Sequence, residues 1–249
     1  MNEREYHDQH YEAEAARVLG TALFERVHDR VARQFLRATR AGKAHRVLSL
    51  GCGDGSLERR IAPHVGELVG IDLSSVAIRK AEQRCATARI ANASFRVGDA
   101  AGLSSQALGR FDIVVAFAFL HHLGDRGIAD TLAAAREHLQ PRGVFYSSDP
   151  NRRRAVRLFA GCVRKTYERY HSPDERELEP TVLAALALRA GFASAAIGYV
   201  DFFLGPLAWL AQGTPRALAP LLAALDNLLL RVPLLRRYAS SFSLLASAR

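Results

Sequence analysis

Short apolar segments alternate with longer segments of helical periodicity along the first 150 residues. The apolar segments predict strands at residues 47–50, 66–72, 94–99, 111–120 and 144–148. Between them, apolar residues recur every three or four positions and predict helices at 56–62, from Ser74 or Ser75 through Cys85, and at 126–139. The fourth segment is apolar almost throughout, which is typical of a central strand buried on both faces. The alternation predicts a doubly wound parallel α/β sheet.

Helical patterns extend the chain on both sides of this core. Residues 2–45 predict N-terminal helices, residues 151–170 a basic amphipathic helix, and residues 181–190 a further helix. Two more strands, at 193–201 and 241–248, are separated by a strongly apolar segment of helical spacing. Pro220 falls in the first turn of that helix and Pro233 just beyond its end. We expect this insert to pack as a helix pair, to wall an apolar pocket, or to rest on a membrane surface.

Three glycines on alternate positions follow the first strand, at Gly51, Gly53 and Gly55. A tight turn between a strand and a helix needs backbone without side chains where a ligand approaches the main chain. The spacing differs from the Gly-x-Gly-x-x-Gly of dinucleotide sites, in which the helix receives a pyrophosphate. The observed pattern most often faces the amino-acid end of S-adenosylmethionine. A tight turn without a ligand is the alternative.

Acidic residues end the second and third strands. Asp72 comes 17 residues after Gly55, where a carboxylate can accept both hydroxyls of an adenosine ribose. Asp99 ends the third strand and can accept a hydrogen bond from the exocyclic amine of an adenine. In the alternative interpretation, each acid caps a following helix. Ligands of doubly wound sheets bind outside the carboxyl ends of the strands, where both acids, the glycines and the His121 region converge.

These motifs resemble, in order, those of the class I S-adenosylmethionine-dependent methyltransferases of the small-molecule type. The resemblance covers residues 46–150 and includes Phe111-Asp112-Ile113-Val114-Val115, Leu120-His121-His122-Leu123 and Leu139-Gln140-Pro141-Arg142-Gly143. It implies a Rossmann-like seven-stranded sheet with N-terminal helices and a helical insert before the last strand. It also implies S-adenosyl-L-methionine as cofactor and S-adenosyl-L-homocysteine as product.

The resemblance further implies a role for each motif residue. Gly51, Cys52, Gly53 and Gly55 would lie against the methionine part, with Phe117 near the sulfur. Asp72 and its neighbour Leu73 would bind the ribose, and Asp99 and Ala100 the adenine. The fourth strand lacks an Asn-Pro-Pro-Tyr-like ending, which argues against the branch that methylates exocyclic amines of bases and glutamine amides.

Methyl transfer from a sulfonium needs a base only when the acceptor is poorly ionised. The candidates are His121, His122, His171, Tyr11 and Asp149. A structural role is the alternative for each of them. No spacing typical of metal ligands occurs, so no metal is expected.

Composition changes this picture little. The chain has 249 residues, 49% of them apolar, which suits one α/β domain with additions. The net charge of +9 favours anionic partners, although an arginine-rich composition explains it equally well. Nucleic acid is disfavoured because basic and aromatic residues are seldom interleaved. The three separated cysteines, the polar start and the absence of a long apolar run predict a cytoplasmic protein.

We therefore expect a single domain with three parts. Residues 1–45 form a helical flap, 46–150 the cofactor-binding core, and 151–249 the rest of the fold, with acceptor-binding helices at about 151–180 and 203–235. The expected reaction is methylation of a small, hydrophobic, anionic or lipid-like acceptor of secondary metabolism. Methylation on oxygen is favoured, with carbon and nitrogen left open. An RNA or protein methyltransferase, an NAD(P)-binding oxidoreductase and a non-catalytic membrane-associated scaffold are the alternatives, and the oligomeric state stays open.

Overall fold

The computed structural model describes residues 22–100, 102–103, 108–159, 175–210 and 216–249. Seven strands form one sheet: β1 (Arg46–Leu50), β2 (Glu67–Asp72), β3 (Ala93–Val97), β4 (Phe111–Phe117), β5 (Leu139–Pro150), β6 (Ser194–Asp201) and β7 (Ser241–Ser247). Their order is β3-β2-β1-β4-β5-β7-β6. The first five strands are parallel, and β7 runs antiparallel between β5 and β6. The predicted Rossmann-like fold is confirmed.

The described helices are α1 (Ala22–Thr39), α2 (Glu58–Ile61), α3 (Ser75–Thr87), α4 (Asp125–Glu137), α5 (Pro180–Arg189), α6 (Leu204–Leu210) and α7 (Ala219–Leu230). Short 3₁₀ helices cover Ala62–His64, Leu120–His122, Ala155–Phe159, Arg216–Leu218 and Leu235–Tyr238. Local sequence explains several starts. Ser74 caps α3 by accepting the Ala77 N–H at 3.1 Å, and α5 and α7 carry a proline in their first turns.

Each central strand sends alternate side chains to two apolar clusters on opposite faces of the sheet. On one face, Leu48 and Val114 pack with Leu132 of α4 and Leu183 of α5. On the other face, strand residues such as Val47 and Val115 pack with side chains from α1, α2 and α3. Burial on both faces is what the nearly continuous apolar pattern of β4 predicts.

A third apolar cluster joins the insert to the N-terminal helix. Leu204 and Ala208 of α6 and Ala219 of α7 pack against Leu23 and Phe24 of α1. Because β6 runs parallel to β5, the insert leaves the sheet at the same edge at which β1 and β4 end. The prediction of a packed helix pair is confirmed for the described part.

Three predicted boundaries are wrong. The fourth strand ends at Phe117, and residues 120–122 form a 3₁₀ turn because Ala118 takes a positive φ of 45°. Residues 141–143 were expected to turn the chain before β5 but lie inside it. In this part of the sheet, β5 advances by five residues while β4 advances by two, so β5 contains a bulge. Arg142 lies in the bulge with a left-handed φ of 66°. Residues 155–159 are 3₁₀, not α-helical, and residues 160–170 lie outside the described range.

Candidate active site

The glycine turn at the end of β1 can be built only from glycine at two of its positions. Gly51, Gly53 and Gly55 have φ of 63°, 52° and 72°, a region that other residues rarely adopt. A Cβ on Gly51 would lie 2.3 Å from the Phe119 ring, and one on Gly55 would lie 2.8 Å from Cβ of Ala81 in α3. The glycine turn therefore packs closely against both α3 and the segment that follows β4.

Asp72 connects this turn to the end of β2. One carboxylate oxygen accepts the Gly53 N–H at 2.8 Å, and the other accepts the Ser74 N–H at 2.9 Å. The Asp72 carbonyl accepts the N–H of Gly98, the residue before Asp99. Because Ser74 caps α3, Asp72 is not the cap of that helix. Its half-buried carboxylate is held by backbone N–H groups at the edge of the sheet where the parallel strands end.

A buried acid occupies the turn that leads into α2. Asp54 is 6% exposed; one of its oxygens accepts the Ser56 N–H at 3.1 Å and the other pairs with Arg84 at 2.7 Å. In a dinucleotide site, this helix start would receive a pyrophosphate. A buried carboxylate at that position repels phosphate, so the chemistry of the turn fits a ligand without one.

Two residues assigned to the cofactor by the resemblance point their side chains into the core. The Cys52 side chain is 6% exposed among the residues of the second apolar cluster, and burial raises the pKa of its thiol well above the usual value. The Phe117 ring packs edge-on against Phe35 and Tyr146 at centroid distances of 5.5 and 6.1 Å. The backbone of Cys52 and Phe117, and not the side chain, lies at the carboxyl ends of the strands. The Phe119 ring, half-buried against Gly51, lies where the Phe117 ring was expected.

The expected adenine-binding residues follow β3. Asp99 is exposed and Ala100 is buried in the first apolar cluster. Leu73, the expected neighbour of the ribose, is half-buried beside Asp72. The structure therefore brings the predicted glycines, Asp72 and the segment leading to Asp99 to one edge of the sheet.

His121 lies at the same edge and contacts two carboxylates. Its Nδ1 is 3.2 Å from Oδ1 of Asp149, which ends β5 and is 1% exposed, and its own N–H donates to the same oxygen at 3.2 Å. Its Nε2 lies 3.9 Å from Glu175 Oε2. An Nδ1–H donated to Asp149 fixes the tautomer that leaves a lone pair on Nε2. This is the arrangement of a histidine that can accept a proton.

His122 stacks on His121 with ring centroids 4.1 Å apart, and its Nδ1 is 3.5 Å from Glu175 Oε1. The two histidines and Glu175 bring their ligand atoms within 4.8 Å of one another. Two imidazoles and a carboxylate suit Zn²⁺ as donors, so this cluster could hold a cation. Without a cation, the Glu175 carboxylate lies 3.9 and 3.5 Å from the two imidazoles, at the distances of ion pairs with protonated histidines.

A second buried acid lies beneath the glycine turn. Glu58 of α2 is 2% exposed, and its Oε1 accepts the Ser49 hydroxyl at 2.7 Å. Burial raises the pKa of Glu58 to about 7, against the smaller lowering effect of that hydrogen bond. Glu58, Phe119 and Glu175 were not predicted. Their only sequence signal is an acid in a helix or loop, or an aromatic residue after a strand, and their contacts are long-range.

In the described part of the predicted basic helix, three arginines pair with acids. Arg154 and Arg157 bind Glu177, and Arg153 binds Glu179 at 2.9 Å. These pairs satisfy the described part of the basic segment within the fold. Two further candidates for the base, Tyr11 and His171, lie outside the described residues, as does Cys162.

Sequence comparison identifies the core. Residues 47–143 match the family model described as a methyltransferase domain. A ubiquinone biosynthesis O-methyltransferase from Aromatoleum aromaticum is 31% identical over 159 residues, which cover 62% of this chain and 66% of that protein. Against the relatives of this name, the chain spans about half to two thirds of their length.

Solved structures agree on the fold. A magnesium protoporphyrin IX methyltransferase from Synechocystis PCC 6803 with bound S-adenosylhomocysteine has a TM-score of 0.67 at 16% identity, covering 99% of this chain and 98% of that one. The cyclase SpnF has a TM-score of 0.62 at 19% identity, covering 88% and 81%. The chain therefore carries a class I S-adenosylmethionine-dependent methyltransferase domain. The cyclase is a reminder that this fold supports more than one chemistry.

Proposed function

We propose that the protein transfers the methyl group of S-adenosylmethionine to a hydroxyl of a small, largely apolar acceptor. One observation carries the proposal: Asp72, held by the Gly53 and Ser74 N–H groups, presents a carboxylate beside a left-handed glycine turn that itself contains the buried Asp54. This arrangement suits a ribose and an amino-acid group better than a pyrophosphate. It also disfavours the alternative of an NAD(P)-binding oxidoreductase.

The proposed binding mode assigns each part of the cofactor to the chain. The backbone of Gly51, Cys52 and Gly53 contacts the methionine part, with Gly55 shaping the turn. Asp72 accepts the ribose hydroxyls beside Leu73, and Asp99 and Ala100 border the adenine. Phe119, with the Phe117 backbone, closes the methionine end. When bound, the cofactor supplies an activated methyl group on a sulfonium.

The chain's own chemistry is to position an acceptor oxygen and remove its proton. His121 Nε2 is the proposed proton acceptor, and Asp149 both orients the ring and stabilises the imidazolium that forms. Such a base is needed for a hydroxyl and not for a neutral amine, which is why oxygen is favoured. His122 is the second candidate, and Tyr11 and His171 stay predictions.

The acceptor class rests on two further observations. Relatives at about 30% identity are named as O-methyltransferases of ubiquinone biosynthesis, and apolar side chains predominate in the insert at the ligand edge. The predicted division into a flap, a core and acceptor helices remains part of this proposal, as does a cytoplasmic setting. Among the described residues, no helix is long and apolar enough to cross a membrane.

Transfer of a deuterated methyl group tests this function. The protein is incubated with methyl-deuterated S-adenosylmethionine and a panel of phenols and catechols with and without alkyl tails, beside an extract of apolar metabolites. We expect labelled O-methyl products and equimolar S-adenosylhomocysteine, absent for Asp72→Asn. Cofactor binding without any turnover in panel or extract would favour the scaffold alternative. Labelled RNA or protein instead would contradict the small-molecule class.

A further inference from the structure

Helix α7 is apolar on two neighbouring faces, and the fold covers only one of them. Its inner face holds Ala219, Leu222 and the buried Asp226, and packs toward α1 and α6. The outer face carries large apolar side chains at spacings of three and four, continuing beyond both helix ends, and each is at least 40% exposed: Leu218, Leu221, Leu225, Leu228, Val232 and Leu235. We call this row the outer stripe.

The end of the stripe protrudes. Leu234, beside it in the turn after Pro233, is 71% exposed, and Tyr238 is 52% exposed. Leucines this exposed and this close together are unusual on a soluble monomer, where large apolar patches mark interaction sites. Tyrosine is the residue type that favours the boundary between water and an apolar phase.

The charged residues around the outer stripe indicate which kind of partner it binds. Arg231, Arg236 and Arg237 are all exposed next to it. Asp226 is the only acid between residues 216 and 238, and its side chain is buried. Residues 216–238 are therefore apolar and cationic and contribute no exposed acid, which matches the acyl boundary and headgroups of an anionic lipid layer.

A second copy of the chain fits the same surface less well. A symmetric dimer places a patch against itself. The stripe would then bring two sets of three arginines together with no acid from either copy to pair with them. Such juxtaposed like charges oppose association.

We propose that α7 and the turn that follows it, residues 218–238, form a peripheral binding surface for anionic membranes. The outer stripe enters the headgroup boundary while Arg231, Arg236 and Arg237 contact the phosphates. The surface does not depend on methyl transfer. Because the insert leaves the sheet at the edge that holds Asp72 and His121, binding would bring that edge toward the lipid.

Vesicle flotation tests the proposal with the full chain. We compare vesicles of phosphatidylglycerol and phosphatidylcholine with vesicles of phosphatidylcholine alone. The wild type is expected to float with the anionic vesicles and to be released by high salt. Absence of flotation with anionic vesicles at low salt would overturn the proposal.

Paired variants locate the surface. Leu221→Gln with Leu228→Gln should weaken binding by about tenfold or more. Arg236→Gln with Arg237→Gln should weaken it by roughly thirty-fold on anionic vesicles. The matched control, Val182→Gln with Leu188→Gln, changes two side chains of α5 that are 54% and 50% exposed, and should leave binding unchanged. Glutamine preserves helix propensity, and far-ultraviolet circular dichroism checks the fold.

Two results would contradict the assignment. Equal loss in the α5 control would mean that vesicle binding is a general property of exposed leucines. A dimer in light scattering that the Leu221 and Leu228 variant converts to a monomer would mean that a second copy covers the stripe.

Discussion

Glu58 is a carboxylic acid buried directly beneath the glycine turn, and burial raises its pKa to about 7. Its folded form therefore holds a proton that the unfolded chain has released at the same pH. The stability that Glu58 contributes is present at pH below about 4.5 and is lost as pH rises through about 7. At neutral pH and above, the folded protein carries a costly buried charge.

Glu58→Gln is expected to be more stable than the wild type at about pH 8, by roughly 1–3 kcal/mol, and to differ less at about pH 5. Gln keeps an oxygen that can accept the Ser49 hydroxyl but cannot ionise. Urea unfolding of both proteins at the two pH values measures the difference. A stabilisation that is the same at both values, or a destabilised variant at the higher one, would contradict the assignment.

A substitution at Gly51 tests the close contact between the glycine turn and the Phe119 ring. In Gly51→Ala, the new Cβ would meet the Phe119 ring in a conformation that already costs an alanine about 1–2 kcal/mol. We expect weaker binding of S-adenosylhomocysteine and a lower melting temperature. Gly124→Ala is the control, because its Cβ would meet nothing within 4 Å. Similar losses in both variants would show that neither strain nor Phe119 matters at Gly51.

Substitution of His121 tests its proposed role as the base that removes the acceptor proton. His121→Ala should lower the rate of methyl transfer by about a hundredfold or more without changing the affinity for S-adenosylhomocysteine. His122→Ala, which removes a ring that lacks the Asp149 contact, should have a much smaller effect. Both rates are measured on the labelled acceptor as a function of pH. At alkaline pH the acceptor hydroxyl ionises without a base, so the rates of the wild type and His121→Ala should converge. Such convergence would support the role of His121. An unaffected rate in His121→Ala would exclude it.

At the scale of elements, a buried carboxylate of α7 joins the two helices of the insert. Asp226 of α7 accepts the N–H groups of Phe202, Phe203 and Leu204 at 3.0, 2.9 and 3.3 Å, and so satisfies the start of α6. Burial raises its pKa, against the lowering effect of these backbone N–H groups. Helix α6 is short, and this carboxylate joins it to α7.

Asp226→Ala should destabilise the protein by about 2 kcal/mol or more, because buried N–H groups lose their acceptor. Asn227→Ala is the neighbouring control; its exposed side chain accepts from Arg30 alone among the described residues, and the expected loss is within about 0.5 kcal/mol. Thermal unfolding measures both. Equal stability of the two variants would show that Asp226 does not organise the insert.

Element prediction succeeded where the pattern is local. The ends of β2 and β6, the cap at Ser74 and the proline in the first turn of α7 follow from hydrophobic periodicity and capping rules. It failed at residues 139–143, where the extra residues of β5 are accommodated by a bulge against β4. In that bulge Arg142 takes a left-handed conformation, which no local sequence pattern predicts.

At the scale of the whole molecule, the doubly wound class of the sheet and the edge that carries the site were predictable. A doubly wound sheet collects the ends of its parallel strands at one edge, so Gly51, Asp72 and Asp99 could be grouped from the sequence alone. The partners of these residues could not. Asp54 with Arg84, His121 with Asp149 and Glu175, and Asp226 with the start of α6 are pairs distant in sequence that only the packed chain brings together.

The central claim is that the edge formed by the glycine turn and Asp72 binds S-adenosylmethionine. Titration calorimetry with S-adenosylhomocysteine, on the wild type and on Asp72→Asn, tests it most directly, because it needs no acceptor. Asn keeps the size of the side chain but removes the charge that accepts two ribose hydroxyls. The account predicts micromolar binding by the wild type and a loss of about a hundredfold in the variant. Equal affinity in the two proteins, or no binding by a folded wild type, would contradict it.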